Sequence, residues 1–149
     1  MAEALMARWG TPRFKSMSAG LAPSTAIDPG AAAALRDELY SPLHSPRLLS
    51  DLLATVEGNV DLVIAFDALE GDLDLPGKPP SVRWHVDDPR THSEGEKDRL
   101  RAWRSVLRDL EGRIKLLVSL LPTGFDEFLE RQRTKEAGST TGGRAALGA

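Results

Sequence analysis

The seven residues VDLVIAF, at positions 60–66, give the strongest strand signal in the chain. The run is short, mostly apolar and partly β-branched, and these properties are typical of a strand that is covered on both faces. Such strands lie in parallel sheets, whose neighbouring strands are joined by helical crossovers. The run therefore predicts an α/β fold built on a parallel sheet.

Two weaker strands and several helices are predicted on either side of this run. Weak alternation indicates a strand at Arg13–Ser18, and another short strand is indicated at Ser81–His85. Apolar residues at helical spacing predict five helices, at positions 1–9, 29–39, 46–56, 95–121 and 125–135. Three strands alternating with these helices would make a thin sheet with helices on both faces.

Local signals predict where several helices begin and end. Asp28 precedes Pro29, an arrangement that caps a helix and opens its first turn. The first helix has no capping residue, and the α-amino group of Met1 puts positive charge at the positive end of the helix dipole. We therefore expect that the beginning of this helix is missing. Pro122 is expected to end the long helix, and the Gly/Ser/Thr/Ala-rich tail at 137–149 is expected to be disordered.

Composition narrows the classes of function. A chain of 149 residues suits one domain, and a formal net charge of −3 makes no case for a nucleic-acid or membrane-surface partner. The absence of cysteine excludes disulfides, thiolate metal sites and a cysteine nucleophile within this sequence. No apolar run approaches the roughly 18 residues that span a bilayer. The first ten residues also lack the pattern of a signal peptide, so a cytoplasmic protein is expected.

Seven short motifs follow one another along the chain in a characteristic order. They are MAEAL at 1–5, SAG at 18–20, APS at 22–24, HSPRLL at 44–49, DLVIAFD at 61–67, PGKP at 76–79 and RWHVDDP at 83–89. This ordered set resembles the low-molecular-weight protein tyrosine phosphatase superfamily, including its arsenate reductase branch. The resemblance implies a phosphotyrosine phosphatase I-like three-layer α/β/α domain over 1–121. The extra helix expected at 122–136 and the tail at 137–149 exceed what the superfamily usually needs.

The resemblance also implies that part of the domain is absent. In that superfamily a central first strand leads into a phosphate-binding loop with a Cys, an Arg and a Ser, and the loop enters a helix whose early residues match MAEAL. Met1 coincides with the Met of that helix, so we expect the first strand and the loop to lie upstream of this sequence. The chain as given is then expected to be inactive, and to bind a phosphate or arsenate oxyanion, or a phosphoprotein, only if the loop is present. No cofactor is implied.

One catalytic residue of the superfamily has a counterpart here. Its general acid is the Asp of an Asp-Pro pair after the last strand, which corresponds to Asp88 beside Pro89. A plain turn is the alternative interpretation of this pair, and the adjacent Asp87 is given no definite role. Arg90, with Thr91 and His92, stands where eukaryotic-type members carry tyrosines, so a preference for phosphotyrosine is not expected.

The branch within the superfamily is only partly indicated. The absence of cysteines between Phe66 and Leu75 excludes reduction through an internal disulfide cascade. A phosphatase, or a reductase that uses an external small thiol, would not need those cysteines. Trp84 and His85 ahead of the Asp-Pro pair favour the arsenate reductase branch slightly.

Other polar residues were weighed as candidate sites. His85, Asp87, Asp88 and His92 could ligate a metal, but a solvated loop is the preferred interpretation, and no metal site is predicted. The acidic stretch between Glu57 and Asp74 is interpreted as a solvated face. Ser18 could either bond the missing phosphate loop or end a strand. His44 is expected to bond a loop carbonyl.

Two functions of different classes remain open. The first is a low-molecular-weight phosphatase or arsenate reductase-like enzyme that hydrolyses a phosphomonoester or reduces arsenate through an upstream Cys. The second is a noncatalytic remnant that acts as a binding or interaction module.

Overall fold

The computed structural model describes residues 1–40, 44–56, 60–66, 75–91 and 95–140, and for 122–140 it describes the backbone alone. Six elements follow one another in these residues: α1 (Ala2–Trp9), α2 (Pro29–Asp37), α3 (Leu49–Thr55), β1 (Val63–Phe66), β2 (Ser81–Trp84) and α4 (Glu96–Thr140). Within the described residues no helix is long and apolar enough to cross a membrane.

The strand predicted from VDLVIAF is confirmed as β1, over its second half. β1 pairs in parallel with β2, in a register that runs from Val63 beside Ser81 to Phe66 beside Trp84. The N–H of Val63 donates to the carbonyl of Pro80 at 2.9 Å. At the other end the rings of Phe66 and Trp84 meet edge to face, with centroids 6.3 Å apart. Two of the three predicted strands are thus present, and they pair in parallel.

The third predicted strand, at Arg13–Ser18, was wrong. The N–H of Phe14 donates to the carbonyl of Gly10 at 3.0 Å, so the chain is still turning there. The parallel bridge of this region joins Gly20 to Leu48 instead. A strand exists only where a neighbouring backbone accepts its hydrogen bonds, and weak alternation in the sequence supplies no neighbour. The sheet in the described residues therefore has two strands rather than three.

The first three helices are confirmed, with shifted ends. Asp28 caps α2 as predicted, since its Oδ1 accepts the N–H of Gly30 at 2.7 Å. α3 begins at Leu49, three residues later than expected, because Arg47 and Leu48 are used in the bridge to Gly20.

The predicted break at Pro122 was also wrong. α4 is one helix of 45 residues, so the separate helix expected at about 125–135 is a continuation of α4. A proline removes one backbone hydrogen bond and bends a helix, but the helix continues where the remaining bonds form. The predicted disordered tail begins inside α4 at 137–140. Its remainder, 141–149, lies outside the described residues.

The core lies where α1 and α2 pack against α4. Its fully buried large side chains are Leu5, Leu35, Leu107 and Ile114. Phe66, Trp84 and Val86 pack against this cluster from the sheet and the segment after it. The turn that follows β2 is in this way held close to the helical core.

Candidate active site

The predicted general acid, Asp88, lies in a tight turn just after β2. Thr91 fixes this turn, since its N–H and its hydroxyl both donate to the carbonyl of Asp88, at 3.1 and 2.7 Å. The Asp88 side chain is partly exposed, with 39% of its surface accessible. The turn therefore presents the carboxyl at the surface in a defined orientation.

Arg90 holds the Asp88 carboxylate from two residues away. Its Nε donates to Oδ1 and Oδ2 at 2.9 and 3.0 Å, and its Nη2 donates to Oδ2 at 2.6 Å. The backbone N–H of Arg90 also donates to Oδ1, at 2.9 Å. These hydrogen bonds to the Asp88 carboxylate raise the pKa of the Arg90 guanidinium above its ordinary value, and the negative charge of Asp28 adds to the effect. The turn thus lies within electrostatic reach of the N-terminus of α2.

A cavity of about 300 Å³ opens at the N-terminal end of α1. The cavity is lined by α1, by the segment between α1 and α2, by Leu35 of α2 and by the chain before α3. The lining residues that carry polar or charged groups are Met1 (through its α-amino group), Glu3, Ser18, Ser24, His44, Ser45 and Arg47. Burial lowers the pKa of the α-amino group of Met1, and the carboxylate of Glu3 opposes this shift. The cavity is thus lined by groups of both charges.

Glu3 is the centre of the polar contacts around this cavity. Its side chain is only 10% exposed and its Oε1 accepts from Nη2 of Arg47 at 3.0 Å. The hydroxyl of Ser18 donates to the other carboxylate oxygen. The Nε of Arg47 donates to the carbonyl of Ser18 at 2.8 Å. The Glu3–Arg47 ion pair and its contacts with Ser18 thus join α1 to the segment around Ser18 and to the residues just before α3.

These contacts concern the roles that the sequence predicted for Ser18 and His44. Ser18 ends no strand, and its hydroxyl is used by Glu3. His44 lies with its Nε2 3.9 Å from the Glu3 carboxylate, and its bond to a loop carbonyl stays a prediction. Both side chains therefore belong to the wall of the cavity.

A second cavity, also of about 300 Å³, lies between the segment after β2 and α4. His85 and Asp87 line it, with Nε2 and Oδ1 3.4 Å apart, but both side chains are more than three-quarters exposed. Across it Asp109 is paired with Arg113 at 2.9 Å. Of the four suggested metal ligands, His92 lies outside the described residues. Among those that are described, no group of three His, Cys, Asp or Glu side chains is arranged to hold a metal ion.

Comparison with solved structures supports the resemblance seen in the motifs. A crystal structure of an arsenate reductase from Archaeoglobus fulgidus matches with a TM-score of 0.59 and 26% sequence identity. The match covers 79% of this chain and 87% of the arsenate reductase. This chain is similar to an arsenate reductase. No protein-family model matches it, and no curated protein does so significantly.

The similarity to arsenate reductase supports the α/β fold with a small parallel sheet and leaves the site residues to be tested. Asp88 lies at the surface after β2, and its role as general acid stays a prediction. Two contacts near the candidate residues were not predicted. The Glu3–Arg47 pair joins residues 44 positions apart and has no local signal. Arg90 follows Asp88 by two residues, a spacing at which a long donor can fold back onto a turn carboxylate.

Proposed function

We propose that this chain is the larger part of a low-molecular-weight phosphatase or arsenate reductase-like enzyme whose nucleophile comes from residues outside this sequence. The observation that carries the proposal is the match to an arsenate reductase over 87% of that protein. The chemistry is cleavage or reduction at a tetrahedral oxyanion, phosphate or arsenate.

Asp88 is assigned the role of general acid. In such a reaction a thiolate attacks phosphorus or arsenic, and the leaving oxygen takes up a proton as its bond breaks. The turn after β2 presents the Asp88 carboxyl at the surface, and Pro89 restricts the backbone beside it. Asp88, when protonated, would donate that proton.

We assign the nucleophile and the phosphate-binding loop to a further segment that would precede Met1, called the added segment below. The chain has no cysteine, so it contains no thiolate of its own. An oxyanion cradle needs several backbone N–H groups at a helix N-terminus and a guanidinium for bidentate contact. The cavity at the N-terminal end of α1 borders Met1, the residue to which such a segment would be joined.

We also assign a further strand of the sheet to the added segment. Two-stranded sheets are marginal, and parallel sheets are found mainly as larger sheets covered on both faces. A central strand ahead of the cradle would complete a three-layer α/β/α domain. This part of the proposal is independent of the chemistry at Asp88.

Turnover by the chain with and without the added segment tests the proposal. We expect no hydrolysis of p-nitrophenyl phosphate and no thiol-dependent arsenate reduction by the chain alone. A chain extended by a strand, a Cys, five residues, an Arg and a Ser, read from the DNA upstream of the Met1 codon, should turn over at least one of the two. Asp88→Asn in the extended chain should then lower the rate by a factor of about 10²–10⁴, as loss of a general acid does.

Asp87→Asn is the matched control, because it removes the neighbouring carboxylate and should leave most of the rate. Measurable turnover by the chain alone would contradict the assignment of the nucleophile. A stop codon in place of the added segment would instead favour a noncatalytic binding module. Release of phosphate or of arsenite from the extended chain distinguishes the two branches.

A further inference from the structure

Pro122 lies inside α4 and leaves one carbonyl of the helix without its usual donor. In an α-helix the N–H of each residue donates to the carbonyl four residues earlier. Residue 122 is a proline and has no N–H, so the carbonyl of Val118 cannot receive this bond. Val118 is buried. A buried carbonyl without a partner is costly, so this position requires a donor from elsewhere in the fold.

Arg13, in the chain after α1, supplies such a donor. Its Nη2 donates to the carbonyl of Val118 at 3.0 Å, across 105 positions of sequence. A guanidinium suits this purpose because it always carries N–H donors, on a side chain long enough to reach across the surface of a helix. The hydrogen bond that the helix loses at Pro122 is thus replaced by one from another part of the fold.

The turn that follows α1 holds Arg13 in place. The N–H of Gly10 donates to the carbonyl of Met6 at 2.7 Å, and the N–H of Phe14 donates to the carbonyl of Gly10 at 3.0 Å. The guanidinium carbon of Arg13 lies 5.3 Å from the centre of the Phe14 ring, which itself packs against the helical core. Arg13 therefore loses less freedom on reaching Val118 than an unsupported side chain would.

We propose that Arg13 locks a hinge in α4: its hydrogen bond to the carbonyl of Val118, called the lock below, replaces the bond that Pro122 removes and keeps the two parts of the helix in one course. Prolines are the usual sites of sharp helix bends. Without the lock, the carbonyl of Val118 gains a partner only by turning toward water, and the helix bends and swings at Pro122. The part of α4 beyond Pro122 thus takes its direction from the turn after α1. This inference does not depend on the proposed function.

A double-variant cycle, measured by urea unfolding of the full chain, tests the lock. Arg13→Met removes the donor and keeps a long, unbranched side chain beside Phe14. We expect it to lower the folding equilibrium constant about three- to tenfold, the range for one intramolecular hydrogen bond. Pro122→Ala restores the N–H at residue 122. In that background Arg13→Met should cost less than about twofold, because the carbonyl of Val118 then has its helical donor.

Lys15→Met is the matched control variant. Lys15 is exposed on the same segment, so the variant makes the same change of net charge close to Arg13. It should leave the folding equilibrium constant unchanged in both backgrounds. Arg13→Lys keeps a long side chain with N–H donors and should retain most of the stability that Arg13→Met loses.

A distance measured across Pro122 tests the hinge itself. The chain has no cysteine, so spin labels can be attached specifically in the double variant Arg108→Cys/Lys135→Cys. Both positions are on α4, about 40 Å apart along a straight helix. We expect one narrow distance distribution in the labelled chain and a broader one when Arg13→Met is added. Further addition of Pro122→Ala should make the distribution narrow again.

Two results would overturn the lock. One is a cost of Arg13→Met that is the same with and without Pro122→Ala, because the loss would then come from packing alone. The other is a distance distribution that Arg13→Met leaves unchanged. If Arg13→Met does not fold, recovery of folding in Arg13→Met/Pro122→Ala supports the lock, and no recovery contradicts it.

Discussion

Glu111 on α4 connects side chains from three parts of the chain. Its Oε1 accepts from Nζ of Lys115 at 2.8 Å and from the hydroxyl of Tyr40 at 3.1 Å. Nε1 of Trp9 donates in turn to the Tyr40 oxygen at 3.1 Å, and Lys115 lies 4.0 Å from the centre of the Trp9 ring. This network ties the end of α1 and the chain after α2 to α4.

The network predicts a pH dependence of stability. The hydrogen bond from Lys115 lowers the pKa of Glu111, and the one from Tyr40 adds to this, although burial opposes them. Because the folded-state pKa is lowered, the stabilisation is complete above the pKa of an unfolded glutamate and is lost as pH falls through the folded value. Glu111→Gln should cost about 0.5 kcal/mol at pH 7, since the pair is partly exposed. The difference should vanish in acid, as measured by urea unfolding at both pH values.

Asp109→Asn is the control for this prediction. It also removes one partner of an i,i+4 ion pair on α4, the pair with Arg113, without touching Tyr40. A loss in Glu111→Gln that is the same in acid and at neutral pH would contradict the role of ionised Glu111.

At the level of the elements, the contact between α2 and α4 depends on a glycine. A Cβ at Gly30 would fall closer to Cδ1 of Trp103 than carbon atoms can approach. The Trp103 ring is packed against this turn, and its buried Nε1 has no hydrogen-bond partner among the described residues. The first turn of α2 is therefore close to Trp103 because residue 30 lacks a side chain.

Gly30→Ala is expected to destabilise the fold, by about 1–3 kcal/mol, because Trp103 or the helix must shift to admit the methyl group. Gly112→Ala, in the middle of α4, meets nothing within 4 Å and should instead stabilise by about 0.5–1 kcal/mol through helix propensity. Thermal or urea unfolding of both variants checks the pair. The cost of Gly30→Ala should shrink in a Trp103→Leu background, and an unchanged cost there would contradict the steric explanation.

The molecule as a whole combines a core of buried side chains between helices with a small sheet. β1 pairs only with β2 in the part of the chain that the structure describes. Unpaired strand edges offer backbone groups to other chains and are sites of association. Backbone N–H and C=O groups are thus paired within the helices, whereas those at the outer edges of the two described strands are open to pairing with another chain.

We expect the chain alone to associate as its concentration rises, through these strand edges, as measured by sedimentation velocity. Extension by the proposed strand should suppress the association, because it would pair one of the edges. Leu116 and Leu120 on α4 are 59% and 62% exposed and offer another surface for contact. Loss of association in the Leu116→Gln/Leu120→Gln double variant would contradict the assignment to the sheet.

Predictions from the sequence succeeded where the decisive interactions are local. The cap at Asp28, the start of α2 at Pro29 and the apolar run of β1 all depend on residues within one turn or one strand. The strand at Arg13–Ser18 failed because its formation needs a distant backbone partner. The end at Pro122 failed because one lost hydrogen bond does not stop a helix whose other bonds form.

Local chemistry alone therefore indicated where α1, α2 and α3 lie, which runs form β1 and β2, and that these 149 residues contain no thiol. Packing decided the rest: that Glu3 meets Arg47, that Trp103 lies on Gly30 and that Gly20 pairs with Leu48. Propensities and caps act over a few residues and can be recognised in the sequence. Contacts between distant residues arise only when burial of the apolar faces brings the elements together.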